Sequence, residues 1–186
     1  MERHSVEKAP SPGRGCGLRA RRELRPGELL YRAQPFAAIA AGPQRGRLCE
    51  RCLRRNENLL RCSQCKIARY CGKHCQKEDW QDHKRECKCL KSVEPNIPPD
   101  SVRLVGRIVF KLVKGFVYVL VSLFLSLDIE KLSEEMKEGL GHLAQTLQLY
   151  LKAEVQDASQ LSPAIDIFQI FAKMPCIPLG VQMPQL

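Results

Sequence analysis

The 186-residue sequence has no apolar run long enough to cross a bilayer. Its longest uncharged stretch, GFVYVLVSLFLSL at residues 115–127, is closed by Lys114 and Asp128. As a helix it would span about 20 Å against a hydrocarbon core of about 30 Å. The expectation is a buried strand or helix, and no membrane partner. The sequence also lacks an export signal, since residues 1–12 carry charge and have no apolar centre. A chain without one stays in a reducing compartment, here expected to be nucleus and cytoplasm, where clustered thiols are metal ligands rather than disulfides. There is no internal repeat. Proline and glycine, 12 of each, are too few for wholesale disorder.

Positive charge is present in excess, but unevenly. The formal net charge is +10, and residues 1–91 hold 22 Lys and Arg against 10 Asp and Glu. The remainder is nearly neutral. Cysteine is also uneven: of ten, eight fall between Cys49 and Cys89.

Coarse patterning predicts an α+β chain. Arg25-Pro26-Gly27-Glu28 puts Pro and Gly at the centre of a type II turn, between GLRARREL and LLYRAQPFAAIA, both readable as strands. Residues 49–91 are dense in cysteine and basic groups and poor in core-forming side chains, so that segment folds around metal. The prolines of residues 94–99 make a stiff linker. Asp100 or Ser101 can then cap a helix whose apolar face is Val102, Val105, Ile108, Val109 and Leu112. A second helix is expected from Asp128, with Ile129, Leu132, Met136, Leu140, Leu143, Leu147 and Leu151 on one stripe, weakened by Gly139 and Gly141. A third starts at Ser162-Pro163, with Ile165, Phe168, Phe171 and Ala172 inward. Residues 174–186 read as a tail.

The chemistry lies in four pairs: Cys49-x2-Cys52, Cys62-x2-Cys65, Cys71-x3-Cys75 and His83-x3-Cys87. Structural zinc takes four tetrahedral N or S ligands with no open position. A two-residue spacing lets a tight knuckle present two thiolates to one ion. A three-residue spacing sets both ligands on one side of a helical turn. A helix over residues 76–86 would carry the later ligands. Eight ligands make two Zn2+ ions. Spacing alone leaves open whether pairs share ions sequentially or interleaved. Cys16, Cys89 and Cys176 have no partner at ligand spacing, and His74 points elsewhere on the helix.

CERC followed by RCSQCKIARYCGKHCQKEDWQDHKREC resembles the MYND zinc finger. That resemblance implies interleaving, with Cys49, Cys52, Cys71 and Cys75 on one ion and Cys62, Cys65, His83 and Cys87 on the other. It also implies protein partners, often proline-rich peptides. Gly13-Arg14-Gly15-Cys16-Gly17-Leu18-Arg19-Ala20 resembles the opening loop of a SET domain. With KCLK, PPDSVRL, VFKL and VQDASQL, it makes the chain similar to the SET- and MYND-domain protein-lysine methyltransferases over residues 1–114 and about 128–173. The resemblance implies a MYND finger at 49–87 inserted after N-terminal SET strands in 1–48, then linker and helices over 88–173 and a divergent tail at 174–186. It implies that Arg14, Gly15 and Cys16 touch S-adenosylmethionine, since glycine lets backbone approach a ligand closely.

Two features depart from that family pattern. Residues 115–127 are apolar where the family implies a more polar stretch. The Asn-His-Ser-Cys cofactor motif and the Gly-Glu-Glu-Leu segment leading to the catalytic tyrosine are missing, as are the later zinc-binding cysteines and C-terminal helical domain. Tyr31, Tyr70, Tyr118 and Tyr150 sit in none of those contexts. The expectation is a truncated or alternatively spliced member with an incomplete SET domain. It keeps a zinc-dependent protein-binding finger, has no catalytic residue and is inactive. The alternative function is lysine methyl transfer using S-adenosylmethionine. A second alternative is nucleic-acid binding, in which Lys66, Arg69, Lys73, Lys77, Lys84, Arg85, Lys88 and Lys91 neutralise phosphates rather than forming a solvated basic face.

Overall fold

The structure is a computed structural model that describes residues 5–12, 15–30, 34–113, 132–155 and 167–173. It divides into two compact units, Met1–Phe36 and Ala37–Leu186.

In the first unit, β1 (Val6–Ser11) and β2 (Gly15–Ala20) form an antiparallel hairpin whose register runs from Val6 opposite Ala20 to Ser11 opposite Gly15. Glu7 and Arg19 face each other in that register, and Arg19 Nη2 donates to Glu7 Oε1 at 2.8 Å. The bond from Arg19 holds the Glu7 carboxyl below its usual range. The type II turn forms as expected. The Glu28 amide donates to the Arg25 carbonyl at 3.1 Å, with Gly27 at φ 77°, a backbone region that glycine enters without steric cost.

The strand expected in LLYRAQPFAAIA is not found among the described residues. In the second unit the reason is visible: these backbone groups bond to charged side chains instead of a ladder. The Ala40 amide donates to Glu50 Oε2 at 3.1 Å, and the Ala38 carbonyl accepts from Arg107 Nη1 at 2.9 Å. A 3-10 turn, Gly42–Gln44, follows.

The second unit continues through β3 (Leu60–Arg61) and β4 (Arg69–Tyr70), a short antiparallel pair. The helices are α1 (Lys73–Ser92), α2 (Asp100–Val113), α3 (Glu134–Leu151) and α4 (Ile167–Lys173). The first is longer than the sequence predicts at both ends. Asp100 begins α2; its carboxylate accepts from the Gly42 amide and from Arg45 Nη2, tying the 3-10 turn to the helix. The third helix begins at Glu134; the start expected at Asp128, and Ile129 with it, lie outside the described residues. Leu132 is non-helical, and Ser133 caps the helix by accepting from the Met136 amide. Residues 115–127, the start of the helix expected at Ser162 and the tail at 174–186 lie outside the described residues. Among the described residues no helix is long and apolar enough to cross a membrane.

Helices α1, α2 and α3 meet in one core containing Leu90, Val102, Val105, Val109, Phe110, Leu147, Tyr150 and Leu151, continuous with the finger's Ala68 and Tyr70. The stripe on α3 is shifted from the expected one, since Met136 is exposed while Ala144 and Tyr150 are buried. Ile108 and Leu112 are only half-buried, while Arg103 and Arg107 on α2 are fully enclosed.

At Gly106 α2 packs tightly on α3: a Cβ there would lie 3.0 Å from Cε1 of the buried Tyr150 ring. Gly106→Ala should gain about 1 kcal/mol of helix propensity and lose about 1–3 kcal/mol to overpacking. The loss is expected to win, lowering Tm by about 2–4 °C. A rise in Tm on thermal melting would contradict this packing.

Candidate metal centre

Two knuckles of the same build present the first ligands. After Cys49 and Cys52 the chain turns so that the Leu53 amide donates to the Cys49 carbonyl at 2.9 Å. After Cys62 and Cys65 the Lys66 amide does the same to Cys62 at 3.0 Å. Both turns close in the left-handed region, Leu53 at φ 57° and Lys66 at φ 59°. That conformation costs an L-residue roughly 1–2 kcal/mol, so each turn is held by what its thiols do. The β3–β4 pair delivers Cys62 and Cys71 from opposite ends. Cys71 sits before α1 rather than on it, and meets Cys75 at the first turn. His83 and Cys87 follow on one side of α1.

The eight ligand candidates fall into two groups, and the groups are interleaved. In each of the sets Cys49, Cys52, Cys71, Cys75 and Cys62, Cys65, His83, Cys87 all four ligand atoms lie within 4.8 Å of one another. Close contacts cross between sequence pairs. Cys52 Sγ is 3.6 Å from Cys71 Sγ, Cys62 Sγ is 3.8 Å from Cys87 Sγ, and Cys65 Sγ is 3.6 Å from His83 Nε2. Four sulfurs at a Zn–S bond of about 2.3 Å stand about 3.8 Å apart along a tetrahedron's edges. The spacing therefore fits zinc.

The acid–base chemistry fits as well. A hydrogen bond from Cys87, with His83 adding to it, draws the Cys65 thiol down to about 3 against the penalty of burial. Burial and the neighbouring thiols push Cys75 up to about 12. Crowded thiols that force one another's protons on and off are what a divalent cation resolves by replacing those protons. Bound there, zinc would supply a structural cross-link and no open catalytic position. The first set lies near the surface, with Cys52 exposed; every member of the second is buried.

The second set rests on a buried charge network that the sequence reading missed. His83 Nδ1 lies 3.1 Å from Glu86 Oε2. Glu86 Oε1 accepts from Arg103 Nε at 3.1 Å and Nη2 at 2.8 Å, and Glu86 Oε2 accepts from Arg107 Nε at 2.9 Å. Arg103 Nη2 also donates to Glu50 Oε1 at 3.2 Å. Arg107 Nη2 lies 3.6 Å from Asp79, whose carboxylate accepts from the Tyr70 hydroxyl at 2.8 Å. Glu50, Asp79, Glu86, Arg103 and Arg107 are all buried. Burial works against ionising Glu86, but Arg107, Arg103 and His83 outweigh it and hold the carboxyl well below its usual range. A usable signal was present in the sequence: two arginines one helical turn apart inside an otherwise apolar run.

Trp80 bridges the metal centre and the surface. Its ring meets His83 edge-on at 6.2 Å between centroids while remaining 39% exposed. It lines a groove of ≈ 570 Å³ with Gln64, Lys84, Arg85, Lys88 and Lys91. Of the basic residues assigned to this half, Lys66, Lys73, Lys77, Lys84, Lys88 and Lys91 are exposed, while Arg69 and Arg85 are half-buried. Lys88 pairs with Glu154 at 2.7 Å. His74 faces Glu78 at the surface, away from both sets. Gly15 and Cys16 open β2, opposite Ser11 and Pro10, and Arg14 lies outside the described residues.

Comparison with known proteins agrees with this geometry. Residues 49–87 match the family model described as MYND finger. The chain is 53% identical over 180 residues to human histone-lysine N-methyltransferase SMYD3, covering 95% of this chain and 42% of that protein. The mouse protein of the same name is 51% identical over the same shares. The chain belongs to the SMYD family. Its likeness to chicken N-lysine methyltransferase SMYD2 is 43% over 107 residues, which is 57% of this chain and 24% of that one. The chain thus spans about two-fifths of the SMYD3 proteins it matches. It carries the zinc-binding MYND cluster within a mixed helix-and-strand SMYD fold.

Residues 49–87 hold few large apolar side chains besides Leu53, Leu59, Leu60, Ile67, Tyr70 and Trp80. Metal must therefore supply most of their order, on the order of 10 kcal/mol per structural ion. Stripping the metal with a chelator at neutral pH is expected to open this segment to limited proteolysis. Unchanged protection after complete removal would contradict metal-coupled folding.

Proposed function

We propose that this chain is a protein-docking module built on a finger holding two zinc ions, and that its docking surface is the Trp80 groove, which takes an extended proline-rich peptide. The observation that carries the reading is the position of Trp80. Its ring leans on a zinc ligand, so the metal fixes the backbone beneath it, and its open face borders an exposed row of lysines. An exposed aromatic on a rigid base is the surface that recognises polyproline-type segments, whose preformed shape loses little entropy on docking. MYND fingers mediate protein interactions, which supports a protein partner.

The names of the SMYD3 relatives state histone-lysine methyl transfer. For residues 1–186 by themselves we propose no such activity. Methyl transfer requires a donor and a lysine amine held in line by several segments in a dry site. Of the tyrosines, Tyr70 is buried against Asp79 and Tyr150 is buried between α2 and α3. Binding of S-adenosylmethionine through Arg14, Gly15 and Cys16 stays a family-level proposal. Nucleic-acid binding along the α1 lysines is the second reading, and a steep salt dependence on duplex DNA would favour it. A reducing location, nucleus and cytoplasm, is part of the same proposal, since it keeps the thiols available for metal.

Two measurements test the docking reading. Elemental analysis of the purified chain is expected to give close to two zinc per chain, and a value near one would contradict the two-site assignment. Trp80→Ala is then expected to retain both ions and lose at least tenfold in affinity for a proline-rich peptide, in line with an aromatic anchor worth more than about 1.4 kcal/mol. Undiminished peptide binding with both ions in place would sink the platform.

A further inference from the structure

We propose that Arg103 and Arg107 of α2 are positioning residues for the zinc ion of the buried set, acting through Glu86 and His83, so that this site reaches full strength only when α2 is docked. The inference rests on the two-ion reading above and goes beyond it, because both arginines lie outside the residues matched as the finger, 49–87.

The argument follows one chain of atoms. His83 presents Nε2 to Cys65 at 3.6 Å, so Nε2 is the ligand atom and must carry a lone pair. The ring proton then belongs on Nδ1, which faces Glu86 Oε2 at 3.1 Å and donates to it. A carboxylate in that place sets both the tautomer and the ring angle of a ligating histidine. Glu86 could rotate away from His83, but the two guanidinium groups prevent it. Arg103 reaches Oε1 with two nitrogens, and Arg107 Nε reaches Oε2, the oxygen that His83 uses. Both arginines are held in turn, Arg103 by Glu50 and Arg107 by the Ala38 carbonyl. Without α2, Glu86 would be a carboxylate among apolar groups with only a histidine to bind. It would then be free to turn toward water, which releases Nδ1. The all-cysteine set has no histidine ligand and so no such chain.

The test is site-resolved metal release. The whole chain is loaded with Co2+, whose visible bands differ between an all-sulfur donor set and one of three sulfurs and a nitrogen. Release to a chelator is followed at both bands. Glu86→Gln and Arg107→Met are each expected to speed release from the histidine-containing site about 10–100-fold, while the rate at the all-cysteine site changes less than threefold. Because the path runs through Glu86, the double variant should release no faster than Glu86→Gln alone; independent packing effects would add. Val105→Ala, a buried α2 change that removes no member of the charge network, is expected to leave the two rates in their original ratio. Should Arg107→Met fail to fold, Glu86→Gln decides alone, since it removes no volume. Equal acceleration at both sites, an unchanged rate at the histidine-containing site, or a Val105→Ala effect matching Arg107→Met would overturn the clamp. Metal content below two in the unmutated chain would overturn the two-ion reading, and the clamp with it.

Discussion

The second unit is organised around one buried carboxylate. Glu86 sits on α1 between His83, a ligand candidate of the buried set, and two arginines of α2, all enclosed. An isolated carboxylate in that place would be expelled or protonated; three cationic or donating partners make its charge tolerable. Removing one partner of such a buried set typically costs about 3–5 kcal/mol, because the remaining charge is stranded. The network therefore fixes where α2 can dock, and with it the core of Val102, Val105, Val109 and Leu147. Packing that could slide by a turn if it were purely apolar is held in one register by charge.

The finger supplies the other half of that arrangement. Its own apolar content is small, so its backbone is ordered by metal and its inner face by the core that α2 and α3 complete. The two knuckles close with Leu53 and Lys66 in left-handed backbone, a strain that metal bonds to the preceding cysteines offset. Order then passes outward through His83 to Trp80 and its groove. In this way a structural metal site can fix the shape of the surface above it.

The sequence exposes these features unevenly. Cysteine spacing names eight ligand candidates because metal chelation imposes short, local distances. It cannot say which pairs share an ion, since that depends on how β3, β4 and α1 fold back; the 3.6 and 3.8 Å sulfur contacts across pairs answer it. The turn at Pro26-Gly27 was readable because its geometry is local. The strand expected in LLYRAQPFAAIA failed because the backbone partners of Ala38 and Ala40 are side chains 69 and 10 residues away. Arg103 and Arg107 stand out as two arginines in an apolar run, but their burial could not be read for the same reason: periodicity ranks arginine as a surface residue, and only the acidic groups of other segments make its burial possible. The start of α3 at Glu134 is a matter of capping, where Ser133 overrode the hydrophobic stripe at Leu132.

The SMYD likeness covers 95% of this chain and 42% of its human SMYD3 relative, so the residues here account for the MYND finger and the helices packed on it. The account depends most on the donor set: two tetrahedral sites, one of four sulfurs and one of three sulfurs with a histidine nitrogen. X-ray absorption at the zinc edge measures this directly. The account predicts an average first shell of about 3.5 sulfurs near 2.3 Å and about 0.5 nitrogen near 2.0–2.1 Å per ion. A shell dominated by nitrogen and oxygen, or one of four sulfurs at every ion, would contradict it.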